Sequence, residues 1–236
     1  MKRRLAALLA LASLAAAAIP SAAAAAPLAT LPDCTFDDVL TPQREYLDWT
    51  RTMLDTTLRV GSRYTPPNLV PVSEARIAGV GKVRPLVVPD LRALARAARN
   101  AGVPLEVASA YRSYERQARV FEYWRDAYGR RIALATSARP GHSEHQLGTA
   151  LDFMALNGRA PWNLDDWALT RTGAWLKANA WKYGFVMSYP LREKATTCYR
   201  YEPWHYRYFG RWWAAHLHAN ELTTREWLWR RGFGVV

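Results

Sequence analysis

The chain has 236 residues, half of them hydrophobic, with 11 Trp and 12 Tyr among them. That content can bury a sizeable core and excludes wholesale disorder. A formal charge of +12 leaves three partner classes open: nucleic acid, a membrane surface, or an anionic polymer outside the cell.

The first residues stand apart from the rest. Lys2, Arg3 and Arg4 form a positive start, and Leu5 to Ile19 is an uncharged Leu/Ala run. Pro20, Ser21 and Ala22 to Ala26 follow and offer several small-residue cleavage positions. This pattern predicts a secretory signal peptide over residues 1–26. Alanine is weakly apolar and Pro20 breaks the run, so an uncleaved anchor fits less well. No later segment reads as a membrane span, and no stable membrane insertion is expected after cleavage. Loss of the three N-terminal charges would leave +9. Export would also place Cys34 and Cys198, the two cysteines, in an oxidising compartment, where they are expected to form a disulfide. Closing a loop of about 160 residues is worth on the order of 4–5 kcal/mol in the chain-entropy account.

Residues 27–67 read as an N-terminal extension. Thr41-Pro42 is a good N-cap and first-turn pair, and Tyr46, Trp49, Met53 and Leu54 recur at helical spacing. One helix is predicted there, ended by Gly61 and Pro66-Pro67. Residues 68–236 read as one continuous domain. Asp90 is predicted to cap a helix with Leu91, Leu94, Ala95 and Ala98 on its apolar face, stopped by Gly102. Val103 to Ala110 alternates as a strand. Ser113 caps a second helix, with Tyr114, Ala118, Phe121 and Trp124 along one side. Residues 132–148 read as irregular and feed a strand from Thr149 to Met154. Asn157-Gly158 is a turn. A helix starts at Thr170 or Thr172 and ends at Gly184. Strands are predicted at Phe185–Tyr189 and Tyr201–Tyr208, and a helix over Gly210–Asn220. Thr223-x-x-Glu226 is a capping box for a last short helix. With no internal repeat and no linker, the expected class is α+β: a small antiparallel sheet flanked by helices.

The chemistry gathers around the histidines. His145 has Asp152 seven residues on, and His205 has Glu202 three residues before it. A His/Asp/His set beside a carboxylate that is not a ligand suits catalytic zinc, which takes three protein ligands and keeps one position open. The extra carboxylate can move protons. The spacing does not match His-Glu-x-x-His, so this is not a helical zincin. His142 is expected at the flank of the cleft and not as a ligand. His216 and His218 do not share a helix face, so no second metal site is expected.

Ser143-Glu144-His145-Gln146-Leu147-Gly148-Thr149-Ala150-Leu151-Asp152-Phe153 closely resembles the Ser-x-His-x-x-Gly-x-Ala-x-Asp motif of VanY-type D-alanyl-D-alanine carboxypeptidases. Glu202-Pro203-Trp204-His205-Tyr206 resembles that family's Glu-x-x-His motif. Ser109 to Tyr114 resembles the upstream segment that supplies an arginine facing substrate. The wider group includes D-Ala-D-Ala dipeptidases, lysostaphin-like peptidases and the hedgehog domain, and the resemblance runs from about Asn68 to the C-terminus. It implies that the sheet carries the zinc site, with His145, Asp152 and His205 as Zn2+ ligands. Glu202 would be the general base and then acid, and Arg112 would hold the substrate carbonyl or oxyanion. Ser143, Trp204 and Gln117 would contact substrate. Relatives often carry a basic residue where Ser188 stands, so grip on a terminal carboxylate is expected to differ here.

The expected protein is therefore a secreted, monomeric zinc peptidase of peptidoglycan stem peptides in an anionic cell wall, removing the terminal D-Ala. Its rivals are an L,D-carboxypeptidase, a peptidoglycan endopeptidase, and a non-catalytic wall-binding module. Nucleic acid is not an expected partner, although Tyr199, Tyr201, Trp204, Tyr206 and Tyr208 interleave with Arg200 and Arg207.

Overall fold

Alternation decides which side of the main sheet is buried. The computed structural model describes residues 30–232, so the predicted signal peptide lies outside the described residues. Five strands make the sheet: β1 (Ala78–Gly79), β2 (Leu105–Ser109), β3 (Ala150–Ala155), β4 (Phe185–Met187) and β5 (His205–Tyr208). Their spatial order is β1-β2-β3-β5-β4. β1 pairs parallel with β2, and the other pairings are antiparallel. The expected antiparallel sheet is present, extended by one parallel edge strand.

Leu105, Val107, Leu151, Phe153, Tyr206 and Tyr208 turn to one face of that sheet and enter the main core. Helices α1 (Val88–Asn100) and α4 (Arg171–Asn179) cover them with Leu91, Leu94, Ala98 and Leu176. Each valine, leucine or phenylalanine among them contributes about 1.5–3 kcal/mol on burial. Successive strand residues point to opposite faces. Ala150, Asp152, His205 and Arg207 therefore lie on the other face, and Asp152 is the direct register partner of His205.

Helix α1 has the predicted apolar face but starts earlier, at Val88 with Pro89 in its first turn. Asp90 is not its cap. Its carboxylate accepts from Tyr208 Oη at 2.8 Å and Arg211 Nε at 2.7 Å. Helix α2 (Tyr114–Tyr128) is capped by Ser113 as expected, but Gln117 is its one fully buried residue. Tyr114, Ala118, Phe121 and Trp124 are only half-buried. Residues 132–136, the start of the segment read as irregular, belong to helix α3 (Arg130–Thr136), which turns back on α2 at Gly129 with φ 81°. Seven residues are too few for an independent helix. Packing of α3 on α2, with Ala133 and Leu134 buried, supplies what the sequence pattern lacked.

Helices α5 (Lys194–Thr197), α6 (Arg211–Ala219) and α7 (Thr224–Gly232) complete the described residues. The Thr223/Glu226 capping box forms, with Glu226 Oε2 2.9 Å from Thr223 N and Thr223 Oγ1 3.2 Å from Glu226 N.

The predicted helix in the extension is reduced to a 3-10 turn, Tyr46–Thr50, whose capping box comes from Glu45 and Asp48 and not from Thr41. Asp55 stops it. Its Oδ1 accepts from Thr57 N and Leu58 N at 2.8 and 2.7 Å, and its Oδ2 pairs with buried Arg225 at 2.8 Å. A buried ion pair and two backbone bonds outweigh helix propensity over a few residues. The predicted disulfide is present: Cys34 and Cys198 are bonded, with Cα atoms 5.4 Å apart.

Candidate metal centre

Three elements bring the polar face of the sheet to one point. Asp152 stands on central strand β3 and His205 opens β5 beside it. His145 comes from a 3-10 turn, Glu144–Leu147, that ends at Gly148 with φ 71°. A Cβ at Gly148 would sit 2.9 Å from Leu69 Cδ2, so glycine turns the chain here without backbone strain and leaves Leu69 its place. One donor atom from each of His145, Asp152 and His205 lies within 4.8 Å of the other two.

The outer ring nitrogens are already engaged. His145 Nδ1 donates to Ala110 O at 2.7 Å, which turns Nε2 toward Asp152 Oδ2 at 3.2 Å. His205 Nε2 contacts Glu144 Oε2 at 3.0 Å, which turns Nδ1 toward Asp152 Oδ1 at 3.0 Å. Two inward imidazole nitrogens, each with an acceptor behind its ring, and a carboxylate oxygen are a donor set that fits Zn2+. Burial alone would raise the Asp152 carboxyl, but His145 and His205 overcome this and hold it well below the usual range. In the metal-free site burial works against a charged His205, yet the hydrogen bonds it donates to Asp152 and Glu144 push it up to about 10.

Glu202 and Arg112 flank the cluster. Glu202 Oε2 is 4.0 Å from His205 Nδ1, and Arg112 Nη2 is 3.6 Å from Asp152 Oδ2. Their side chains keep 19% and 15% exposure against 7% for Asp152, so they are the groups an incoming molecule can reach. Burial pushes the Glu202 carboxyl up to about 7; Asp152 and Glu144 add to this, and His205 and Arg112 oppose it. A carboxylate poised there suits proton transfer near neutral pH. The strand predicted from Tyr201 begins only at His205. Glu202-Pro203-Trp204 forms a turn closed by His205 N to Glu202 O at 3.1 Å, and this places the carboxylate at the mouth.

A sequence model described as VanY, D-alanyl-D-alanine carboxypeptidase, matches residues 81–211, which is more than half of the chain. The chain belongs to the VanY family. A D-alanyl-D-alanine carboxypeptidase of Enterococcus faecalis is 36% identical over 151 residues, covering 60% of this chain and 54% of that protein. The chain spans about half the length of the curated relatives it matches, 53% and 54% for two of them. The structure of the LdcB LD-carboxypeptidase superposes with a TM-score of 0.68 at 27% identity, covering 84% of this chain and 98% of that one. A vancomycin-resistance D,D-pentapeptidase VanY, solved in complex with Zn(II), superposes with a TM-score of 0.64 at 30% identity, covering 76% and 99%.

Within this VanY-family site, the expectations for Gln117 and His142 change, and Ser188 takes an unexpected place. Gln117 is fully buried and does not face a peptide. Its Oε1 accepts from Arg112 Nη1 at 2.8 Å while its Nε2 donates to Ala138 O at 2.6 Å, so it holds Arg112. Ser188, which stands where relatives often carry a basic residue, does not reach the cleft. It is fully buried and donates to Glu144 Oε2 at 2.6 Å. His142 does not flank an open cleft: its ring nitrogens are each 2.8 Å from oxygens of the extension, Asp55 O and Asp38 Oδ1. Ser143 is buried at the start of the His145 turn, and Trp204 is half-buried against Trp162, with 6.2 Å between ring centroids.

Two residues escaped the sequence reading. Tyr189 stacks on the His205 ring at 4.9 Å, and Glu144 lies behind it. Glu144 sits inside the first motif, and its acidic side chain between buried positions was the available signal. Nothing local marked Tyr189.

Proposed function

We propose that this protein is a secreted, zinc-dependent peptidoglycan carboxypeptidase that removes the terminal D-Ala from stem peptides ending in D-Ala-D-Ala. The observation that carries the reading is the placement of Glu202 and Arg112 on either side of the His145/Asp152/His205 cluster. Zn2+ held by those three side chains would polarise a carbonyl and lower the pKa of water. Arg112 supplies a fixed positive charge where the carbonyl oxygen gains negative charge. Glu202 takes a proton from the attacking water and passes it to the amine of the departing D-Ala, so the C–N bond breaks as a C–O bond forms. Half-buried Trp204 offers aromatic surface beside the Glu202 turn, and buried Tyr189 backs the His205 ring.

Relatives support this substrate class: a VanYB structure similar to this chain was solved with D-alanine-D-alanine. Export rests on the residue pattern of positions 1–26 and agrees with a disulfide, which persists in oxidising compartments. Among the described residues no helix is long and apolar enough to cross a membrane.

A second reading, L,D-carboxypeptidase, is favoured by the likeness to LdcB, which covers 84% of the chain. Paired substrates separate the two. A pentapeptide stem ending in D-Ala-D-Ala should lose one alanine, and a tetrapeptide stem ending in a single D-Ala should persist. Rapid trimming of the tetrapeptide with an intact pentapeptide would overturn the D,D assignment.

A further inference from the structure

The polar face of the sheet continues past the metal centre into a second buried cluster. Glu144 is 3% exposed and Arg207 is fully buried. Glu144 Oε2 contacts His205 Nε2 at 3.0 Å and accepts from Ser188 Oγ at 2.6 Å. Its Oε1 accepts from Arg207 Nη1 at 2.9 Å. Arg207 is held in turn by the extension, since its Nη2 donates to Trp49 O at 2.7 Å and to Thr52 O at 2.8 Å. Both oxygens of Glu144 are therefore committed, one to the histidine and the hydroxyl, the other to the guanidinium.

An imidazole has one proton to place when neutral, and its position decides which nitrogen can bind a metal. An acceptor-only carboxylate behind Nε2 requires the proton there and leaves Nδ1 with a lone pair. We propose that Glu144 is a positioning residue for the metal centre: it sets the His205 tautomer and ring orientation, and Arg207 and the main chain of the N-terminal extension hold it in place. The extension then forms part of the metal centre's support. Ser188 belongs to the same device, which accounts for a buried serine at that position.

A carboxamide cannot replace this carboxylate. In Glu144→Gln the new NH2 group would face either Arg207, where two donors meet, or His205 Nε2, which would then have to accept and move its proton onto Nδ1. Either arrangement weakens metal binding. The inference rests on reading the site as a metal centre, and the experiment separates the two. Zinc dissociation constants are measured by chelator competition for the wild type, Glu144→Gln and Leu176→Ala, each with a thermal melt. Leu176→Ala removes packing from the main core, on the face of the sheet opposite the metal ligands and away from the extension. Glu144→Gln is expected to weaken zinc binding by about 10–100-fold. Leu176→Ala should lower the melting temperature and leave zinc affinity within about twofold of wild type, a contrast that a merely structural role for Glu144 would not produce. Nitrogen-15 NMR of the zinc-loaded wild type adds a reading independent of any variant: His205 should carry its proton on Nε2. Equal affinities of wild type and Glu144→Gln, equal weakening by Leu176→Ala, or a His205 proton on Nδ1 would overturn the proposal. A wild-type protein that binds no zinc would overturn the metal reading itself.

Discussion

Arg112 stands 3.6 Å from Asp152 Oδ2, steered there by Gln117, whose side-chain oxygen accepts from the same guanidinium at 2.8 Å. The guanidinium also donates to Ser109 Oγ at 3.2 Å, and Ser109 pairs with Asp152 across the irregular β2–β3 register. Its direction is thus set by three side chains. Arg112→Ala should lower kcat/KM on a stem peptide by about 10²–10³-fold, the usual cost of losing one oxyanion donor. Gln117→Leu keeps the bulk and removes the hydrogen bonds, and should lower kcat by about tenfold, 1.4 kcal/mol, with KM little changed. Steady-state kinetics on both variants check this. Wild-type kcat for Gln117→Leu would show that Arg112 needs no such support.

Glu202 carries a cost in the metal-free protein. Its carboxyl ordinarily titrates near 4.5 and is raised to about 7 by burial. A folded-state pKa above the unfolded value means that the contribution is favourable at low pH and is lost as pH rises through about 7. Glu202→Gln has no charge to bury. The metal-free variant should match the metal-free wild type below about pH 4.5, gain on it between about 4.5 and 7, and melt roughly 5 °C higher above that. Melts of both proteins across this range test the sign. A variant less stable than wild type at pH 8 would contradict it.

Much of the site was legible because its ligands lie in short, ordered motifs. His145, Asp152, His205, Glu202 and Arg112 all converge. What surrounds them was not legible, because it depends on contacts between distant residues. Glu144 meets Arg207 across 63 positions, and Asp55 meets Arg225 across 170. Neither pair has a local pattern. Gln117 was misread for the same reason: a polar residue on a helix looks exposed until Ala138 O and Arg112 are found around it. In the fold, long periodic segments such as α1 were readable. Tertiary bonds decided the outcome where the Asp55–Arg225 pair fixes the extension in a non-helical path and where α3 folded onto α2.

The bond from Cys34 to Cys198 ties the extension to the segment before the Glu202 turn across 164 positions. Arg225 reinforces it, donating to Pro32 O at 3.0 Å as well as to Asp55. The double variant Cys34→Ser with Cys198→Ser should lose about 4–5 kcal/mol of unfolding free energy. Denaturant titrations measure the loss directly. A loss under about 1 kcal/mol would mean that the ion pairs alone retain the extension.

The central claim is that this His/Asp/His site holds zinc and works with Glu202 to cut the last peptide bond of a D-Ala-D-Ala stem. The most direct measurement is mass spectrometry of a purified muropeptide pentapeptide after incubation with three samples: the zinc-loaded protein, the same protein after chelation, and zinc-loaded Glu202→Gln. The account predicts loss of one alanine with the first sample alone, restoration when zinc is returned to the second, and bound zinc without turnover in the third. Cleavage within the stem, or alanine release unaffected by chelation, would contradict it.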